Sequence, residues 1–178
     1  MGTIKIKDKI FAVSIPDAKI QQEVKRVAEE MNRDLKDKNP LFLSVLNGSF
    51  MFASDLMRNL TIPCEISFVK LASYQGTSSS GKMKELVGLS ENVKGRTVVI
   101  VEDIVDTGFT MQHLLAKLME RSPKEIHIAT LLLKPDKLQV DLDIKYVAMH
   151  IPNDFIVGYG LDYDGYGRNY RDIYTVVE

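Results

Sequence analysis

The chain has 178 residues, 45% hydrophobic and 26% charged, a size and composition that fit one globular domain around a single core. It carries 23 Lys and Arg against 24 Asp and Glu, a net charge of -1, which is not the electrostatic footprint of a general nucleic-acid binder. One cysteine excludes an internal disulfide framework and a multi-cysteine zinc site, no stretch approaches an uncharged apolar membrane span, and the N-terminus lacks a signal-peptide core, so cytoplasm is the expected compartment.

No repeat or low-complexity tract divides the chain, so residues 1–178 read as one domain. Ile20, Val24, Val27, Met31 and Leu35 recur at helical spacing, behind a capping box expected from Ser14 and Asp17 and ahead of Asn39-Pro40. That predicts an amphipathic helix. Residues 41–46 are apolar except for Ser44 and lead through Asn47-Gly48-Ser49 into a helix carrying Phe50, Ala53, Leu56, Met57 and Leu60, with Ser49 as its expected cap. Residues 62–71 alternate as a strand. Residues 74–85, with almost no core-forming side chain, read as a long mobile loop.

A β-branched run at 97–101 then feeds a helix whose Met111, Leu114, Leu115, Leu118 and Met119 share one face. Further strands are expected at 126–133, 146–151, 155–157 and 173–177. Strands separated by helices predict an α/β fold with a mostly parallel sheet, whose ligands bind at the carboxyl ends of the strands. The chemical motifs all fall just after predicted strands.

The most informative is 98–110, VVIVEDIVDTGFT. Gly108 permits close backbone approach, Thr107 and Thr110 offer hydroxyls, and the N–H groups opening the next helix suit a monophosphate. Neither the dinucleotide nor the P-loop fingerprint is present. Asp-Thr-Gly could simply cap a helix, but Glu102, Asp103 and Asp106 would repel the anion beside them unless a hydroxyl-rich or cationic group came between.

This segment resembles the phosphoribosyl diphosphate signature of the type I phosphoribosyltransferases, and the wider chain resembles their hypoxanthine-guanine branch. The resemblance runs in order from about residue 41 to 171. It implies a twisted, mostly parallel sheet flanked by helices over about 38–140, and a small hood from about 1–15 and 145–178 that the N-terminal helix and C-terminal strands join over the nucleobase. The implied reaction transfers the 5-phosphoribosyl group from phosphoribosyl diphosphate to a 6-oxopurine, with magnesium, giving IMP or GMP and pyrophosphate. Glu102 and Asp103 would engage the ribose hydroxyls and the metal, and Thr107, Gly108, Phe109 and Thr110 would hold the 5-phosphate. Asp106 would be the general base at N7, a task suited to a carboxylate ionised at neutral pH. Phe109 departs from the Lys or other polar residue of many relatives.

Leu46-Asn47-Gly48-Ser49 resembles the family's pyrophosphate loop, with a cis peptide before its second residue; some relatives have Lys where this chain has Asn47. Ser73 and Tyr74 match the Ser-Tyr pair of the family's closing lid, which excludes water. Lys134 matches the lysine that bonds the purine's 6-oxo group, Phe155 the aromatic that stacks on the base, and Ile156 a backbone contact to the base edge. Asp162 matches a magnesium ligand and Arg168 a pyrophosphate contact. Relatives form dimers or tetramers, so a homodimer or homotetramer is expected, with no nucleic-acid or membrane partner. A regulator that senses phosphoribosyl diphosphate and binds nucleic acid is the alternative; the net charge of -1 and the lack of room for a second domain weigh against it. His113, His127 and His150 show no metal-ligand spacing, and Cys64 reads as a small core hydrophobe.

Overall fold

The computed structural model describes residues 2–73 and 83–177, with backbone alone for 72–73 and 83–87. Ten strands form two sheets. The larger runs β5(Met83–Val87), β4(Glu65–Ser73), β3(Leu41–Leu46), β6(Thr97–Val105), β7(Glu125–Leu133), β8(Tyr146–His150), and the smaller β1(Thr3–Ile6), β2(Lys9–Ile15), β10(Ile173–Val176), β9(Ile156–Val157). The five strands from β4 to β8 are parallel, and β5 returns antiparallel on β4. Residues 83–85, expected in a mobile loop, therefore open an edge strand paired on β4 through the backbone, and the rest of that expected loop, 74–82, lies outside the described residues.

The near-continuous apolar runs of β3, β6 and β7 reflect burial on both faces. On one face, Phe42, Val99, Val101, Ala129 and Leu131 pack with Ile20, Val24, Val27 and Met31 of α1(Asp17–Asp34) and Phe52 and Leu56 of α2(Phe50–Asn59). On the other, Leu41, Leu43, Val98, Ile100 and Ile128 meet Met111, Leu114 and Leu118 of α3(Phe109–Met119). Helix α1 thus belongs to the large sheet, not to the hood where the sequence reading put it. The small sheet is built from both chain ends, with β1 and β2 as its N-terminal half. Cys64, half-buried beside the α1 and α2 core, keeps the small hydrophobic role expected of it.

Two caps differ from expectation. Pro16 occupies the N-cap of α1 with no side-chain cap; Ser14 instead donates to the Ile173 carbonyl at 3.2 Å, and the Asp17 N–H is accepted by Asp172 Oδ1 at 2.7 Å. The cap arrives from 155 residues away, so no local pattern could signal it. At α2, Ser49 sits at the N-cap but turns its hydroxyl back to the Val45 carbonyl and receives the buried Ser44 hydroxyl at 2.6 Å. This pins the turn that follows β3. Among the described residues, no helix is long and apolar enough to cross a membrane.

Removing the distant cap should weaken the tie between α1 and the segment before β10. Asp172→Ala is expected to cost about 1 kcal/mol, a fall of roughly 2–4 °C in Tm by calorimetry, with the circular dichroism spectrum at 20 °C unchanged.

Candidate active site

The carboxyl ends of β3, β4 and β6 open into a cavity of about 380 Å³. Strand β6 runs four residues beyond its expected end, so Glu102 and Asp103 are strand residues held in register by β7, and not a solvated strand terminus. Glu102 is 7% exposed and Asp103 half-buried. Burial, and then the adjacent Asp103 charge, push the Glu102 carboxyl well above the usual carboxylate range. Asp103 Oδ1 accepts the Ile104 N–H at 2.7 Å, while Oδ2 lies so close over Gly48 that a methyl on that glycine would overlap it. Gly48 is thus fixed by its neighbour: it brings the turn after β3 against the acids of β6. The Leu46–Asn47 peptide is cis, as the resemblance implied.

Beyond β6, residues 106–110 turn into α3. Gly108 has φ 91° and occupies the N-cap, a left-handed conformation that favours glycine. The room a side chain would need there is filled by Val140 Cγ2 at 2.6 Å and by Leu138 and Leu142 at 2.9 Å, so packing as well as ligand approach demands glycine. The Gln139 N–H donates to the Thr107 carbonyl at 2.9 Å and the Lys134 N–H to the Val105 carbonyl at 3.0 Å, clamping the turn from the chain that leaves β7. The first turn of α3 directs N–H groups without helical acceptors toward the cavity, and Thr107 and Thr110 line it.

Asp106 Oδ2 pairs with Lys137 Nζ at 3.3 Å, whereas the buried Oδ1 has no hydrogen-bond partner among the described residues. The Asp106 side chain itself is 39% exposed and lines the cavity, which places its carboxylate where a ligand can reach it. Lys137 was not foreseen; in sequence it is a surface lysine after a proline, and only the turn Pro135–Lys137 behind β7 brings it to Asp106. On the far wall, Asp162 Oδ1 pairs with Arg168 Nη2 at 3.0 Å, Oδ2 accepts the Gly165 N–H at 2.8 Å, and Arg168 Nη1 donates to the Gly160 carbonyl at 2.7 Å.

The structure therefore gathers Asn47, Gly48, Glu102, Asp103, Asp106, Thr107, Gly108, Thr110, Asp162 and Arg168 around one space. Phe109 does not join them: its ring is 51% exposed and lies outside the lining. Lys134, Phe155 and Ile156 also lie outside it and form a separate group. Lys134 is 7% exposed and donates to the Asp154 carbonyl at 2.8 Å. Phe155 is half-open, its ring backed by Phe11 at 6.1 Å and by the edge of Tyr163 at 5.5 Å, and Ile156 is buried in β9. The backbone of Ser73 ends β4, and Tyr74 lies outside the described residues.

The acids offer only hard oxygen donors, which suit magnesium, and among the described residues no three candidate ligands stand close enough to form a ready-made metal site. That fits an ion which arrives with phosphate groups and takes one or two carboxylates from the protein.

A phosphoribosyl transferase domain model matches residues 15–164. The chain is 43% identical over 155 residues to a hypoxanthine-guanine phosphoribosyltransferase of Streptococcus pyogenes, covering 86% of this chain and 84% of that one. Its fold is similar to a solved hypoxanthine-guanine phosphoribosyltransferase from Bacillus anthracis, with TM-score 0.88, 36% identity and coverage of 96% and 99% of the two chains. The hypoxanthine phosphoribosyl transferase of Trypanosoma cruzi, studied for the role of its C-terminal region in oligomeric state and activity, matches with TM-score 0.88 and 34% identity over 98% and 95%.

The raised Glu102 carboxyl has a thermodynamic consequence. It ionises less readily folded than unfolded, so the fold loses stability as pH rises from its ordinary range toward the raised value, and nothing is lost below that range. Glu102→Gln should therefore be more stable than the parent at pH 8, by about 1 kcal/mol in urea denaturation, with the gain closing at pH 4.

Proposed function

This chain belongs to the phosphoribosyl transferase family, and from that premise we propose that it is a purine-salvage enzyme joining the 5-phosphoribosyl group of phosphoribosyl diphosphate to a 6-oxopurine. Hypoxanthine and guanine are the acceptors, and the products are IMP or GMP and pyrophosphate. The observation that carries this reading is the meeting, at the carboxyl ends of parallel strands, of a helix start suited to an anion, paired acids and the Asp106 carboxylate around one cavity.

In this reaction the bond from ribose C1 to the diphosphate oxygen breaks and a bond from C1 to the purine nitrogen forms, through an oxocarbenium-like state. Thr107, Gly108 and Thr110 hold the 5-phosphate with backbone N–H groups and hydroxyls, a cradle that does not need the Phe109 side chain. Glu102 and Asp103 accept from the ribose hydroxyls, which sets the sugar between two groups of like charge. The Asn47 and Gly48 amides and the Arg168 guanidinium take the diphosphate. The Asp106 carboxylate accepts the proton from N7, with Lys137 beside it to steady its charge. Magnesium, arriving with the phosphate groups, would take one or two carboxylates from among Asp162, Glu102 and Asp103, and would supply charge neutralisation of the departing diphosphate. Lys134 donates to the 6-oxo group, Phe155 stacks on the ring, and the Ile156 backbone meets its edge. Ser73 and Tyr74 match the Ser-Tyr pair of the family's closing lid. We place the enzyme in the cytoplasm as a homodimer or homotetramer.

The test is nucleotide formation from phosphoribosyl diphosphate and magnesium with hypoxanthine, guanine, xanthine, adenine or uracil. Turnover with 6-oxopurines and none with adenine is expected, and turnover with no base at all would overturn the reading. Asp106→Asn should lower kcat by about 10²–10⁴ while the affinity for phosphoribosyl diphosphate stays within a few fold. Lys134→Ala should raise KM for the oxopurine and leave KM for phosphoribosyl diphosphate near the parent value; an unchanged KM for the base would move its recognition elsewhere.

A further inference from the structure

The two walls of the diphosphate end of the cavity come from different parts of the fold. Asn47 and Gly48 precede α2, whereas Asp162 and Arg168 belong to the segment between β9 and β10. A part-buried polar contact outside the cavity ties these walls together. Tyr159 is 2% exposed and holds φ 48°, a left-handed conformation that a bulky side chain adopts only under strong constraint. Its hydroxyl donates to Asp55 Oδ2, on α2, at 2.6 Å, and Gln21 Nε2 of α1 donates to the same oxygen at 2.9 Å.

The segment next to Tyr159 carries the site. The Tyr159 N–H donates to the Tyr170 carbonyl at 2.8 Å, and the Gly160 N–H to the Arg168 carbonyl at 2.9 Å. The Gly160 carbonyl receives the Arg168 guanidinium at 2.7 Å, and a side chain at Gly160 would overlap the Gly48 carbonyl. The Tyr159–Asp55 contact therefore anchors, to the helix that follows the Asn47-Gly48 turn, the peptide on which Arg168 leans. A hydrogen bond from a nearly enclosed tyrosine to a carboxylate is short, directional and costly to break.

We propose that Tyr159 and Asp55 are a positioning pair, whose hydrogen bond sets the spacing between the Asn47-Gly48 turn and Arg168 and so the affinity for the diphosphate group. The inference rests on the function proposed above. Neither residue touches the diphosphate; both act through Arg168 and Gly48.

The experiment compares the full-length parent, Tyr159→Phe, Asp55→Asn and Asp55→Leu for phosphoribosyl diphosphate affinity by calorimetry with magnesium, and for both KM values. Tyr159→Phe and Asp55→Leu should weaken phosphoribosyl diphosphate binding by about tenfold, a loss typical of a binding group shifted by a fraction of an ångström, with KM for the base within twofold. Asp55→Asn keeps an acceptor for the hydroxyl and should stay within about threefold of the parent, even if Asp55→Leu fails to fold. Unchanged phosphoribosyl diphosphate affinity in Tyr159→Phe, with a lowered Tm, would overturn the proposal and leave the pair a packing contact. Equal loss in KM for the base would overturn it as well. A parent protein that binds no phosphoribosyl diphosphate would instead overturn the function on which the proposal rests.

Discussion

Two neighbouring carboxylates held at the end of a buried strand are the constraint around which this molecule is arranged. Neither Glu102 nor Asp103 forms an ion pair among the described residues, and Glu102 is nearly enclosed. Isolated burial of this kind is unfavourable, and the raised Glu102 carboxyl records the cost. The strand tolerates it because Val98, Val99, Ile100 and Val101 are buried on both faces and lock β6 between β3 and β7. Side chains on β6 then have little freedom to retreat toward solvent. Gly48 closes the arrangement from the other side, since any side chain there would displace Asp103.

The same rigidity explains how an anion site and acids can share one cavity. The turn proposed to bind phosphate lies beyond the acids, on the far side of Val105, and is clamped by backbone hydrogen bonds from residues 134 and 139 to carbonyls 105 and 107. Charge separation is thus a matter of backbone geometry and not of flexible side chains. Lys137 and Arg168 provide the positive charge at the margins, each already paired with a carboxylate, Asp106 and Asp162 respectively. A ligand that carries both hydroxyls and phosphates can satisfy the acids and the N–H groups together, which a simple anion cannot.

Much of this was legible in the sequence where the signal is local. The apolar runs of β3, β6 and β7 and the helical faces of α1 and α3 follow from spacing alone, and the segment 98–110 displays strand, acids, glycine and helix start in order. Features that depend on distant partners were not legible. Hairpin β1–β2 turns through Lys7 at φ 53°, without the Asn-Gly or Asp-Gly pair that would have marked it. The Asp172 cap of α1, the Lys137–Asp106 pair and the Tyr159–Asp55 bond join residues 155, 31 and 104 positions apart. Phe109 differs in another way: its place in the motif suggests a phosphate contact, yet its side chain is exposed and lies outside the cavity lining.

The hood and the large sheet meet at Lys134, and base selection in the proposed reaction follows from how that lysine is held. Its position after β7, the bond from its N–H to Val105 and its near-complete burial leave the ammonium little room to reach bulk water. One of its three donors is committed to the Asp154 carbonyl in the segment that links β8 to β9, just before Phe155. The same bond therefore aims the ammonium and ties down the chain that carries the stacking ring. A 6-oxo group brings an acceptor to the ammonium, whereas a 6-amino group brings another donor. Leaving a buried charged donor unmet costs about 1–3 kcal/mol or more, a factor of roughly 10–100 against the amino base before any steric effect. Discrimination then comes from the penalty on the wrong base, and it is as sharp as Lys134 is immobile.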